Sequence, residues 1–276
     1  MNETVLFSYR DDDLHFHHTV TQIPDPEQYP FRLHSHVMHE IFYFVSGNAE
    51  YTVEGTTYPL EKGTLILSAG CQLHHLGIHS KTTPYERIVL MFSPSLLSPT
   101  LEELIYAAES GSHVFRLSER EQIWFEENCL TLENSKFTKE ETRKAVNALL
   151  TLTLTRFVSC PIYPVSGESP KSEIVQQILH CITRNLTGEL SLEMLERELF
   201  RDRAYLNRSF KQVMGCSIWE YVIRKRIFNA RQQLYLSGNI AEAFRCSGFT
   251  DYSVFYRNYV RCIGRSPSAD LKTLRT

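Results

Sequence analysis

The stretch LHSHVMHEIFYFVSG, residues 33–47, holds His34 and His36 on either side of one residue, with Glu40 four positions after His36. Imidazole nitrogens and carboxylate oxygens are ligands for divalent transition metals. The same groups without a metal would hydrogen-bond a small polar molecule in a pocket, and a third reading leaves them structural. Other chemistries find no support. SHVMHE is not the helical His-Glu-x-x-His order of zinc proteases, and neither a Ser–His–Asp constellation nor a glycine-rich phosphate loop is evident. No catalytic residue and no cofactor are therefore expected.

Strands must position these side chains. From about Phe31 to Met91 the chain reads as short aromatic or β-branched runs, EIFYFVSG, AEYTVEG, TTYPLEKG, TLILSAG and ERIVLMF, most of them ending in Gly. Even spacing with turn residues predicts an antiparallel sandwich or barrel. The character changes near residue 100. SPTLEELIYAAESG is helical in composition, and Ser118 with Glu121 and Thr138 with Glu141 form capping boxes that open two further helices. In the second of these, Val146, Leu149, Leu150 and Phe157 recur at helical spacing. Two helices after a barrel cover it or pair with a second copy of the chain, and the dimer role is expected here. CPIYPVSGESPKS (160–172), with three prolines, a glycine and three serines, reads as a linker. Ser172 then caps EIVQQILHCITRN, with Ile174, Ile178, Leu179 and Ile182 on one face, and the remainder reads as helices.

The 276 residues suffice for about two domains. A hydrophobic content of 42% against 22% charged lets both bury a core. No window approaches the roughly 18 uninterrupted apolar residues of a membrane span. MNETVLFSYRDDDLHFHH lacks a basic start followed by an apolar stretch, so no secretory signal is expected. Seven scattered cysteines without a CxxC pair fit a reducing cytoplasm. The net charge of −3 is asymmetric: residues 170–276 carry 17 Lys and Arg against 10 Asp and Glu, a net of +7 that leaves −10 for the rest. The basic region suits a polyanionic partner, and the acidic region argues against nucleic acid binding there.

A single pattern occurs twice within the basic region. FRDRAYLNRSFKQVMGCS (200–217) and FTDYSVFYRNYVRCIGRS (249–266) align with a shift of 49, pairing Phe200 with Phe249, Asp202 with Asp251, Arg208 with Arg257 and Gly215 with Gly264. The aspartate caps a helix start, the glycine suits the left-handed residue after the last turn, and the following serine caps the next helix. A short helix and a sharp turn precede each copy, in SLEMLEREL and IAEAFRCSG. Helix, turn, helix is the arrangement that presents a second helix to a DNA groove. In the first copy Leu206, Phe210 and Val213 share a face expected to be buried, and Ala204, Asn207, Arg208 and Lys211 share the opposite one. In the second, Phe255 and Tyr259 face inward while Ser253, Tyr256 and Arg257 face out. Arg203 and Tyr252 open the two helices and join the candidate DNA contacts. Arg and Asn suit bidentate hydrogen bonds to guanine and adenine edges.

These segments, LSLEMLERELFRDRAYLNRSFKQVMGCSIWEYVIRKRIFNARQQL (190–234) and IAEAFRCSGFTDYSVFYRNYVRCIGRSP (240–267), resemble the AraC family of bacterial transcription regulators. The resemblance implies two helix-turn-helix units joined by a long helix, here about residues 218–236, and base-edge contacts at Asn207 and Arg208 and at Ser253, Tyr256 and Arg257. The chain departs from the family where Ala243 and Phe244 replace an isoleucine–alanine pair, with Phe244 at a position normally small. It departs again where Tyr259 and Val260 replace phenylalanine–lysine, which removes a phosphate-directed lysine.

The N-terminal region resembles the cupin barrels fused to many such regulators. Metal-binding cupins use His-x-His, a nearby Glu and a later His, which maps here onto His34, His36, Glu40 and His74. The resemblance favours these residues, with Tyr43 and Tyr51, as the wall of a metal-free pocket, and metal-linked sensing or catalysis stays as the alternative. The expected fold is α+β: a cupin-like antiparallel β-barrel (1–100), a helical dimerisation or covering segment (101–160), a linker (161–172) and an all-α double helix-turn-helix domain (173–276). The expected protein is a cytoplasmic, dimeric regulator that binds double-stranded promoter DNA and senses a small polar effector, a carbohydrate being the leading class. RNA polymerase is a further candidate partner, and no membrane is expected. Residues from about 170 onward should bind DNA alone, with an affinity that falls steeply as salt rises. Gel-shift titration at several salt concentrations checks this, and a fragment without affinity for any duplex at low salt would contradict it.

Overall fold

Aromatic and β-branched runs broken by glycine become strands because branched side chains pack well on a pleated surface. The computed structural model describes residues 3–24, 34, 36, 38–70, 72–98, 101, 105, 112–159 and 172–274. Strands β1 (Glu3–Arg10), β2 (Leu14–Thr21), β3 (His39–Ser46), β4 (Ala49–Val53), β5 (Thr56–Pro59), β6 (Thr64–Ser68), β7 (His74–Ile78), β8 (Tyr85–Phe92) and β9 (Ser112–Arg116) form two antiparallel sheets. One is six-stranded, in the order β1-β2-β8-β3-β6-β9, and the other is three-stranded, β5-β4-β7. These two antiparallel sheets among the described residues make up the expected antiparallel β-rich domain. The first strands lie earlier than the hydrophobic runs suggested: β1 mixes apolar and polar residues, β2 carries three histidines, and both are held by long antiparallel pairing, His17 opposite Val89 and His18 opposite Ile88.

Two helices, α1 (Glu119–Asn134) and α2 (Lys139–Ser159), follow. Their starts are those the sequence predicts: the Glu121 carboxylate accepts from the N–H and hydroxyl of Ser118, and Glu141 does the same for Thr138. Helix α1 buries Phe125, Cys129 and Leu132, and α2 buries Val146, Leu149, Leu150 and Leu154. The Phe125 ring lies 4.7 Å from that of Tyr43 on β3. These helices cover the six-stranded sheet. Ile123, Leu130 and Leu152 remain exposed on their outer side. The Phe157 side chain lies outside the described residues, as does most of the helical stretch expected from Ser98, of which only Leu101 and Ile105 are described.

Compactness divides the chain into two units, built mainly on residues 1–167 and 168–276. The expected linker, apart from Ser172, lies outside the described residues. In the second unit α3 (Glu173–Asn185) buries Val175, Ile178, Cys181 and Ile182, one position off the expected face at Val175 and Cys181. Then come α4 (Leu192–Leu199), α5 (Arg203–Met214), α6 (Ile218–Ser237), α7 (Ile240–Arg245), α8 (Tyr252–Ile263) and α9 (Pro267–Leu274). Asp202 accepts from Tyr205 N–H and Asp251 from Val254 N–H, at 2.9 and 2.7 Å. Gly215 and Gly264 sit at φ 70° and 80°, where only glycine is unstrained, and close α5 and α8. The buried stripe of α5 is Leu206, Phe210 and Met214; Val213 is exposed, because the core follows the i, i+4 row and not i+3. Ala243 is the small residue buried against α6 and α8, and Phe244 lies beside it, with its ring 5.4 Å from those of both Phe255 and Tyr252. The bulky residue therefore does not hold the helices apart.

The repeat breaks at its first pair. Phe200 ends α4 in the left-handed region at φ 52° and is exposed, whereas the corresponding left-handed residue in the second copy is Gly248, φ 83°, and Phe249 packs against Phe255. The two copies correspond from the capping aspartate onward, and the turns before it differ in length. Truncating Phe125 to alanine should cost about 3–5 kcal/mol by removing a buried aromatic. Urea unfolding followed by tryptophan fluorescence measures it; a loss well under 1 kcal/mol would show that α1 is not packed on the sheet.

Candidate effector cavity and nucleic-acid interface

Alternation along the strands sends every second side chain of the six-stranded sheet toward the smaller sheet. There they enclose a cavity of about 350 Å³. Its apolar wall includes Phe42, Leu76, Val89 and Met91, and its polar groups are Glu3, His17, His34, Glu40, Tyr51, His74 and Arg87, with Thr19. The centre of this array is Glu40. Its Oε1 accepts from the Tyr51 hydroxyl at 2.9 Å, and its Oε2 lies 4.0 Å from His74 Nε2. The Tyr51 ring stacks on His74 at 5.8 Å with 9° between planes, and the His34 ring is 4.4 Å from His74. His34 is held there by paired backbone hydrogen bonds with His74, 3.1 and 3.0 Å long.

Of the expected effector residues, His34, Glu40, Tyr51 and His74 line this cavity. Tyr43 does not: on β3 it alternates with Glu40 and Phe42 and turns to the helices, where its hydroxyl donates to Glu126 at 2.7 Å. The ligand nitrogens of His34, His36 and His74 all lie within 4.8 Å of one another. Two imidazoles on one ion sit at most about 4.2 Å apart, twice the usual zinc–nitrogen distance.

Arg87 is a cavity residue that its sequence context hides, set as it is within the apolar run ERIVLMF. Burial opposes its charge, but the Tyr85 hydroxyl and the carboxylates of Glu3 and Glu40 outweigh that and raise its pKa. Its Nη2 lies 3.4 Å from Glu3 Oε1. Burial, and after it the nearby Glu40 carboxylate, push the Tyr51 hydroxyl well above the ordinary tyrosine value, so it stays a donor. Burial lowers the pKa of His17, helped by His15, Arg10 and Arg87. The cavity thus offers the Arg87 guanidinium, the Glu3 and Glu40 carboxyl groups, the Tyr51 hydroxyl and, at neutral pH, an uncharged imidazole at His17.

In the second unit, α5 exposes Ala204, Arg208 and Lys211, and α8 exposes Tyr252, Ser253, Tyr256 and Arg257. Asn207 is half-buried and its Oδ1 accepts from Ile218 N–H at 3.2 Å, so it caps α6 from within the fold. Arg203 donates its backbone N–H to Glu196, and its guanidinium lies 3.6 Å from Glu193. Arg261, one turn beyond Arg257 and exposed, supplies a cation next to the position of the missing lysine; its Nη2 donates to Asn258.

Two family models match the chain, an AraC-like ligand binding domain over residues 17–135 and a helix-turn-helix domain over residues 195–273. The chain belongs to the AraC family of transcription regulators. Among curated proteins it is similar to the bifunctional transcriptional activator/DNA repair enzyme AdaA of Bacillus subtilis (strain 168), 26% identical over 38% of this chain and 50% of that protein. It is also similar to the HTH-type transcriptional activator AarP of Providencia stuartii, 29% identical over 36% of this chain and 73% of that one. The match thus spans about half the length of the first of these relatives. Among solved structures, ToxT from Vibrio cholerae O395 aligns with 96% of this chain and 99% of its own at 16% identity and a TM-score of 0.38. This AraC-family protein is a DNA-binding regulator with a ligand-binding domain. Among the described residues, no helix is long and apolar enough to cross a membrane.

Asn207 and Arg208 are adjacent in sequence and differ in exposure, so they should differ in effect. Arg208→Ala should weaken binding to a cognate duplex by about 1–3 kcal/mol without moving the melting temperature. Asn207→Ala should lower stability by about 1 kcal/mol through loss of a helix cap. Paired gel-shift and thermal-melt measurements separate the two, and a reversal of the pattern would contradict the assignment.

Proposed function

We propose that the protein is a cytoplasmic, homodimeric regulator whose cavity takes a small polar effector, with carbohydrates as the leading class, and whose occupancy sets how two copies sit on promoter DNA. The observation that carries this is the polar array of Glu40, Tyr51, His74 and Arg87 set among Phe42, Leu76 and Met91. Carboxylates that accept and a guanidinium that donates match the paired donor and acceptor character of adjacent hydroxyls, and the apolar wall suits the C–H face of a ring. Effector identity acts through population: a ligand shifts the arrangement of the dimer only by its differential affinity for the two states. Ile123, Leu130 and Leu152, exposed on α1 and α2, supply the apolar face of the dimer. On DNA, Arg208 and Lys211 of α5 and Ser253, Tyr256 and Arg257 of α8 face successive major grooves, and RNA polymerase is the partner such a bound dimer would recruit.

A second reading has His34, His36 and His74 hold a transition metal, and it rests on the convergence of their nitrogens. Metal content of tag-free protein, before and after incubation with zinc, decides it: about one equivalent lost in His36→Ala supports metal, and none excludes it.

The effector reading is tested by thermal melts against a panel of monosaccharides, disaccharides and sugar acids. A true effector at 100 times its Kd should stabilise the β-rich unit by about 2.7 kcal/mol. Glu40→Gln should abolish that shift. A panel compound that stabilises wild type and Glu40→Gln equally would place its site elsewhere.

A further inference from the structure

Arg226 lies on α6, the helix between the two helix-turn-helix units, and is 6% exposed. Its Nε donates to the Leu186 carbonyl at 2.8 Å and its Nη2 to the Gly188 carbonyl at 3.1 Å. Both acceptors lie in the loop that leads into the first helix-turn-helix. The same guanidinium sits 5.7 Å from the Trp219 ring and 5.8 Å from that of Phe249, which belongs to the turn of the second. That turn also touches the loop directly. A Cβ on Gly248 would stand 2.5 Å from the Leu186 carbonyl oxygen and 2.9 Å from both Arg226 Nε and Thr187 Cα, and the residue has φ +83°. One turn of α6 further on, Asn229 Nδ2 donates to the Cys246 carbonyl at 2.7 Å.

From this geometry we infer that Arg226 and Gly248 form a joint that sets the spacing and angle between α5 and α8, so that Arg226 is a positioning residue for the length of DNA read by the two helix-turn-helix units together. The inference rests on the proposed reading of DNA by both units. Its chemistry requires arginine. The planar fork aims two N–H groups at two carbonyls while its faces lie near two rings, and a lysine ammonium has neither the fork nor the face. Binding through two linked modules gains affinity only when the linkage lets both engage at once. Adding one base pair between the two contacted segments moves the second by about 3.4 Å and roughly a tenth of a turn. A stiff joint cannot follow that, and a loosened one can.

The experiment uses the full chain. Wild-type protein selects duplexes from a random library, footprinting locates the two protected segments, and one or two base pairs are then added or removed between them. Wild type should lose about tenfold or more in affinity per base pair of displacement, and Arg226→Lys and Gly248→Ala less than about threefold. Ile178→Val, a core change in α3 away from the joint, should keep the wild-type profile. Thermal melts accompany each variant, and either joint variant that folds carries the test. Profiles for the joint variants that run parallel to wild type at every spacing would overturn the proposal and leave the joint with a structural role alone. Selection of no duplex by wild type would overturn the DNA reading itself, a failure distinguishable from the first.

Discussion

The central strands of the six-stranded sheet, β3 and β6, are buried on both faces, and much of the first unit follows from that constraint. Successive side chains on a strand point to opposite sides, so each residue in β2, β3 and β8 belongs either to the cavity or to the helix-covered face. His17 turns into the cavity, and its neighbour His18 turns out to meet Glu86 and Glu133 at 2.8 and 2.5 Å. Glu40 and Phe42 turn inward, and Tyr43 between helix and sheet donates to Glu126. Without the helices, Tyr43, Ile88 and Leu90, all buried here, would face water.

The cavity wall and the helix-covered face share strands, which places the cavity one strand thickness from α1. Glu86, bonded to His18 on the helix side, is covalent neighbour to Arg87 on the cavity side. A ligand that draws on Arg87 acts on the same strand that anchors Glu86.

In the second unit the corresponding constraint is a single long helix that must hold two recognition helices at one separation. Helix α6 does so with buried polar groups. Arg231 pairs with Asp270, which also accepts from the Tyr259 hydroxyl, tying α9 and α8 to α6. Arg226 ties the entry loop of the first helix-turn-helix to the turn of the second. Arg231 meets a carboxylate and Arg226 two carbonyls, so each buried guanidinium has fixed acceptors, while burial still lowers the pKa of Arg226.

Most helix starts and stops were legible in the sequence because they depend on residues three or four apart. The capping boxes at Ser118 and Thr138, the aspartates before α5 and α8 and the closing glycines all stand as local chemistry dictates. The change from a β-rich first region to a helical second one was legible too. Tertiary structure alone decided whether Tyr43 or Arg87 belongs to the cavity, because strand facing depends on pairing with residues far along the chain, and a one-residue slip reverses it. It alone decided that Asn207 caps α6, that Val213 is exposed where Met214 is buried, and that Arg226 braces two units, since each depends on a partner 11 to 40 residues distant or on the packing of a neighbouring helix. Local sequence determines what a segment can become; only the assembled chain brings together the groups that decide what each side chain does.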